Sequence, residues 1–216
     1  DRASRNTGQR ALSIEELGQV LRELPAKTGV LTGSCFKLII FIGGARPKEV
    51  LHARWEEFDL EGKCWNLPGE RTKNDRDHVL PLSERALEVL RQLRAIRHSE
   101  FVFPNANDAA KPMPVASLGQ ASARFCAGDE ETGPRMVRWS PRDLRRTVRT
   151  RLGDVGVSGH VLDVFLNHGL TNSVGGKHYD RSRHLGEKLR ALAAWDTVLD
   201  KALGVAEGGK VINLAR

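Results

Sequence analysis

Between residues 57 and 82 the hydrophobic pattern changes period, and this interruption limits the possible folds more than any other feature of the chain. The pieces "FDL", "CWNLP" and "DHVLPLS" are short and β-compatible, while "EGK" and "ERTKNDRD" between them are turn-forming. On either side the pattern is helical. "SIEE" is a capping box with Ser13 as N-cap and Glu16 three residues on; Leu17, Val20, Leu21 and Leu24 follow at helical spacing, and Pro25 is expected to end the helix. A buried helix runs through "CFKLIIFIGG", Gly43-Gly44 breaks it, and another starts near Pro47 with Arg46 at the junction. Beyond the β region, Ser83 caps a helix to about Arg97, "FVFPNANDAAKPMP" is a loop, and 115–127 is a helix with Leu118 and Phe125 inward. Ser140 and Pro141 open the next helix, helices at about 158–167 and 181–204 close the body, and "GGKVINLAR" is a strand-like tail. Strands confined to one window of a helical chain predict a mainly α fold with a small antiparallel β-sheet, an α+β class.

At 216 residues and 40% hydrophobic content the chain has enough apolar material for a real core. The longest apolar candidate, "LIIFI" at 38–42, is far short of the roughly 18 residues a membrane span requires, so no membrane partner is expected. The opening "DRASRNTGQR" has neither an initiator Met nor the order of a signal peptide; it reads as a polar linker left after removal of an N-terminal part. Cys35, Cys64 and Cys126 are odd in number and have no CxxC spacing, and the seven histidines show no paired ligand spacing. Neither a disulfide framework nor a metal site is therefore expected, and a reducing cytoplasm fits best.

The charge is more informative. The chain carries a formal +7, and from Arg135 to Arg151 there are seven arginines against Asp143 alone. An excess concentrated in this way points to a polyanion rather than to general solubility. In "SPRDLRRTVRTRL", residues 140–152, a helical wheel places Leu144, Val148 and Leu152 on one stripe and Arg142, Arg145, Arg146 and Arg149 in a neighbouring sector. Like charges at i, i+3, i+4 and i+7 repel, so such a face needs an anion or carboxylates to compensate it. A solvated charged face is the plain alternative. The exclusive use of arginine, whose planar fork matches phosphate oxygens, favours phosphate.

Three further residues carry potential chemistry. Tyr179 is the single tyrosine and sits in "GGKHYDRSR" beside Lys177, His178, Asp180 and Arg181, a poor setting for a core aromatic. A phenol ionises near pH 10, so as a nucleophile it needs cations around it. His168 in "FLNHG" falls at the C-terminal end of a helix, where the dipole favours the protonated ring; a structural cap is the equal alternative. Lys73, in the turn "RTKNDRD", is either a solvated hairpin lysine or a side chain at the tip of a sheet reaching into a groove.

Taken in order, "GARPKEVLHARWEEFDL", "RTKN…VLPLS", "SPRDLRRTVRT", "LNHG" and "HYD" resemble the catalytic domain of tyrosine recombinases, the bacteriophage and genomic-island integrases in particular. The resemblance covers residues 11–205 and implies the fold of that catalytic domain, with residues 1–10 a linker from a missing core-binding domain and 206–216 a tail exchanged between protomers. It implies that Arg46 and Arg145 are the two catalytic arginines, Lys73 the β-hairpin lysine, His168 the later histidine and Tyr179 the nucleophile. Arg138, Arg146, Arg149 and Lys177 are then candidates for DNA binding. Two departures stand out. Arg142 occupies the position at which family members usually carry a histidine, and Tyr179 follows His168 by eleven positions, a longer interval than is usual, which implies a bulge in "GLTNSVGG".

The implied activity is site-specific recombination of double-stranded DNA for integration or excision of a mobile element, through a 3′-phosphotyrosyl intermediate and without metal or other cofactor. Its expected setting is a bacterial, nucleoid-associated homo-tetramer on DNA, with an accessory DNA-bending or directionality factor. The alternatives are type IB topoisomerase-like relaxation and a non-catalytic DNA-binding module on a degenerate core, which the Arg142 substitution favours.

Overall fold

The computed structural model describes residues 10–129, 131, 133–168 and 184–205. Helix α1 (Ile14–Lys27) starts at the predicted capping box: Ser13 Oγ accepts from Glu16 N at 3.1 Å, and Glu16 Oε2 accepts from Ser13 N at 2.8 Å. Pro25 does not end it. The residue falls in the last turn, where the one N–H it lacks would have served Leu21 alone, and the Thr28 hydroxyl caps the Leu24 carbonyl at 3.0 Å. The same ring lies against the next helix, since a Cβ at Gly33 would come within 2.9 Å of Pro25 Cα.

Helix α2 (Val30–Phe41) is the centre of the body and packs against α1 and against the helices that follow the sheet. This explains the run "LIIF", which has no polar face: Leu38, Ile39 and Ile40 are all buried. Gly43 and Gly44 end it with φ of 93° and 78°, values that side chains disfavour, and release the chain into α3 (Pro47–Leu51).

The three predicted β pieces form one antiparallel sheet in the order β1 (Phe58–Asp59), β2 (Cys64–Leu67), β3 (His78–Pro81). Trp65 pairs with Phe58 on one side and Leu80 on the other, and its ring stacks on Phe58 at 5.3 Å. Ser83 caps α4 (Glu84–Ala95), the segment 101–114 is a loop, and α5 (Val115–Ala127) buries Leu118 and Phe125 as expected. Helices α6 (Pro141–Asp154), α7 (Gly159–Phe165) and α8 (Leu185–Leu203) complete the described body. Trp195 of α8 donates its indole N–H to the Ile40 carbonyl at 2.7 Å, tying the last helix to the central one. The fold is the mainly α arrangement with a small antiparallel sheet that the periodicity predicts. The linker, the tail and the bulge expected in "GLTNSVGG" lie outside the described residues, except for Arg10.

Candidate functional site

The end of α7 organises the site. After Phe165 the chain makes one turn and Asn167 takes up a left-handed conformation, φ 50°, which aims successive main-chain carbonyls away from the helix. Phe165 O meets His78 Nε2 at 3.3 Å, Leu166 O accepts from Arg145 Nη2, and Asn167 O accepts from Arg46 Nη2 at 3.2 Å. Two arginines separated by 99 positions in sequence are thus held side by side at the negative end of one helix.

Each has further anchors. Arg46 is the N-cap of α3; its main-chain N–H donates to Glu49 Oε2 at 3.1 Å and its Nη1 to Glu49 Oε1 at 2.7 Å. Glu49 is buried, and its carbonyl accepts from Arg71, which also pairs with the buried Glu57, itself bonded to the Trp65 indole. Arg145 Nη1 donates to Gly44 O at 3.0 Å. The glycine allows this approach, because a Cβ there would lie 2.8 Å from Val148 Cγ2 and 3.0 Å from Arg145 Cα. Burial, and then the charge of Arg46, pull Arg145 down to about 9, with Glu49 opposing them. A cation held in this state is poised to gain from an incoming anion.

The hairpin carrying Lys73 is fastened to the same place. Thr72 Oγ1 accepts from Arg76 N at 3.1 Å inside the turn, and the Asn74 and Asn167 side-chain amides bond reciprocally at 2.7 and 3.2 Å. Lys73 is exposed next to this pair. Beneath it, buried Lys188 of α8 donates to Val79 O at 2.8 Å and lies 3.2 Å from His78 Nδ1, so the imidazole is neutral with its proton on Nε2. Burial, followed by the Lys188 charge, holds His78 well below its ordinary value.

His168 departs from the sequence expectation. The helix end was expected to favour its protonated form, yet its pKa is lowered, by burial first and then by Arg145, Arg46 and Arg149, with only Asp163 opposing. The carbonyls of that helix end are already occupied by arginines, so the ring meets positive charge where a bare helix terminus would offer negative.

The predicted arginine cluster divides into distinct parts. Leu144, Val148 and Leu152 are buried as the wheel requires. Arg146 pairs with the fully buried Asp143 at 2.9 Å, which also accepts from Ser140, and Arg149 pairs with Asp163 at 2.7 Å. These are the compensating carboxylates. Arg135 and Arg151 are structural, the first bonded to Phe125 O and the second to Leu12 O. Arg138 and Arg142 are exposed, with no hydrogen bond or ion pair among the described residues.

Arg46, Lys73, Arg138, Arg142, Arg145, Arg146, Arg149 and His168 all line one open groove of about 1480 Å³. Tyr179 and Lys177 lie outside the described residues. Sequence reasoning missed Glu49, Asn74, His78, Asn167 and Lys188. Asn167 had a local signal, an asparagine just past a helix end; His78 and Lys188 are 110 positions apart and had none.

Residues 10–184 match the phage integrase family, and the chain belongs to it. It is 28% identical over 199 residues to prophage integrase IntA of Escherichia coli (strain K12), covering 92% of this chain and 45% of that protein. It is 29% identical over 205 residues to the integrase of enterobacteria phage P4, covering 88% and 45%. The chain therefore spans about half the length of these curated relatives. Among solved structures, the integrase from mycobacterium phage Brujita has the same fold, with a TM-score of 0.63 at 18% identity over 92% of this chain and 65% of that one. A lambda integrase tetramer bound to a Holliday junction has a TM-score of 0.56 at 15% identity, covering 81% and 51%.

Proposed function

We propose that the chain is the catalytic part of a site-specific recombinase that cuts and rejoins double-stranded DNA through Tyr179. The observation that carries this reading is the convergence of Arg46, Arg145, His168 and Lys73 on one groove rimmed by the exposed Arg138 and Arg142. A backbone phosphate there would accept from both guanidiniums, which stabilise the charge developing on its non-bridging oxygens. The Tyr179 oxygen attacks phosphorus in line, the P–O5′ bond breaks, and Lys73 protonates the departing 5′ oxygen. A 3′-phosphotyrosyl link and a free 5′-hydroxyl result. A 5′-hydroxyl from a partner strand reverses the step, so the bond energy is retained and no nucleotide is consumed.

Arg142 is a permanent cation and takes no proton, so acceptance of the tyrosyl proton falls to a neutral imidazole. His168, beside both arginines and biased toward the neutral form by burial first and then by their charge, is suited to it. Arg138, Arg142, Arg146 and Arg149, with Lys177, hold flanking phosphates. Assembly is as a tetramer on DNA, with residues 206–216 exchanged between protomers, an accessory bending or directionality factor, and a bacterial cytoplasmic setting. No helix among the described residues is long and apolar enough to cross a membrane.

The test is to incubate the protein with partly randomised nicked duplexes in the absence of divalent metal, denature it, and seek DNA attached to Tyr179 by mass spectrometry. The adduct is expected in the wild type, absent in Tyr179→Phe, and lost in Arg145→Ala with most DNA affinity retained. An adduct that survives either substitution overturns the assignment. Arg142→His, which puts an imidazole at that position, tests whether the arginine there lowers the yield of adduct.

A further inference from the structure

At the opposite end of α7 from the two arginines, roughly 10 Å along a helix of this length, three side chains with metal-binding atoms converge. His160 stands in the first turn of α7, His184 is the N-cap of α8, and Glu187 lies three residues further on in the same first turn. One ligand atom from each falls within 4.8 Å of the other two. His184 Nδ1 is 2.7 Å from Glu187 Oε2, and the two imidazole rings meet edge to face with centroids 5.9 Å apart.

We propose that His160, His184 and Glu187 form a zinc site that joins α7 to α8, with its fourth position open to water. The donor set is two imidazoles and one carboxylate, the combination that holds zinc with an exchangeable ligand. Bonds of about 2.0–2.2 Å in tetrahedral geometry place ligand atoms roughly 3.4 Å apart. The His184–Glu187 pair, at 2.7 Å, opens by about 0.7 Å to reach this spacing, and His160, within 4.8 Å of both, closes by at most about 1.4 Å, within reach of χ rotation in an exposed side chain. The i,i+3 spacing puts His184 and Glu187 on one face of α8, so two ligands come preset and only the third crosses between helices. All three are at least partly accessible, which gives a metal ion from solution a path in. The site stands apart from the groove and does not depend on the recombinase reading.

Zinc chloride, titrated against a chromophoric zinc chelator as competitor, is expected to bind at one equivalent, and cobalt(II) at the same site should give visible d–d absorption of a low-coordinate centre. His160→Ala and Glu187→Gln should each weaken zinc binding about tenfold or more and remove the zinc-dependent rise in thermal midpoint, while melting like wild type in chelator. His98→Ala, at an exposed histidine elsewhere, should change nothing. Zinc binding undiminished in both site variants, or no binding at micromolar zinc, overturns the proposal. Because both substituted side chains are accessible, the variants are expected to fold; should one fail, the other decides the question.

Discussion

Acidification tests the buried part of the site through one residue. His78 is 7% exposed, neutral, and held between Phe165 O and Lys188, with Arg145 and Arg46 adding their charge against its protonation. In the unfolded chain the same ring titrates near 6.5, so below that pH the unfolded state binds a proton that the folded state refuses, and stability falls as pH falls. Because burial and the Lys188 charge hold the folded ring well below its ordinary value, moving from about pH 7.5 to about pH 5.5 removes stability through His78, up to the limit of about 1.4 kcal/mol set by the unfolded ring. In urea, with a slope of about 2 kcal/mol/M, that limit is a midpoint shift of roughly 0.7 M. His52 and His168 are also lowered and add smaller amounts of the same sign. The informative comparison is His78→Gln, whose amide supplies a donor for Phe165 O and an acceptor for Lys188 but takes no proton in this range. Urea melts of both proteins at the two pH values should show the variant losing less stability than wild type on acidification, by up to about 1.4 kcal/mol. An equal loss in the two proteins would refute the reasoning, because the proton uptake would then come from elsewhere.

Three other outcomes follow from the geometry. Inorganic phosphate at about ten times its dissociation constant should stabilise the protein by about 1.4 kcal/mol, a rise of about 3–6 °C in thermal midpoint for a chain of this size, and the rise should vanish in Arg145→Ala. Asn74→Ala removes the amide that pairs with Asn167 and leaves a buried group unsatisfied, at about 1–2 kcal/mol; strand cleavage should fall with it while DNA affinity, measured by salt-dependent binding, stays near wild type. Gly44→Ala places a Cβ 2.8 Å from Val148 Cγ2 at a φ of 78°, so it should destabilise by about 2–4 kcal/mol in denaturant melts.

Much of this architecture was legible because it is local. The change of period at 57 located the sheet, the capping box located α1, Ser140 and Pro141 located the start of α6, and the buried stripe Leu144, Val148, Leu152 followed from spacing alone. Pro25 misled because a proline acts four residues back, and in a final turn little remains there to disturb. The arginine cluster pointed to a polyanion but not to its own division of labour: which guanidinium is internal depends on Gly44, Leu166 and Asp163, residues outside the helix that carries it. His168 was misjudged for the same reason. Its helix end is shared with Arg46 and Arg145, and a sequence gives no sign that a terminus already has occupants. His78 and Lys188 meet only because β3 and α8 pack together.

The three carbonyls at the C-terminal end of α7, those of Phe165, Leu166 and Asn167, have a consequence for how this protein tolerates change. Every amino acid supplies the same carbonyl, so the sockets for Arg46, Arg145 and His78 are indifferent to which side chains stand at 165 and 166. Phe165 and Leu166 are buried in the core, so an apolar substitution of similar volume there leaves the acceptors in place, as long as position 167 keeps a residue at ease with a positive φ, such as asparagine or glycine. A one-residue insertion between 165 and 167 is different in kind. It preserves every functional side chain and rotates the carbonyls out of phase, uncoupling both arginines at once. The site is thus robust to misspelling and fragile to a shift of frame along the backbone.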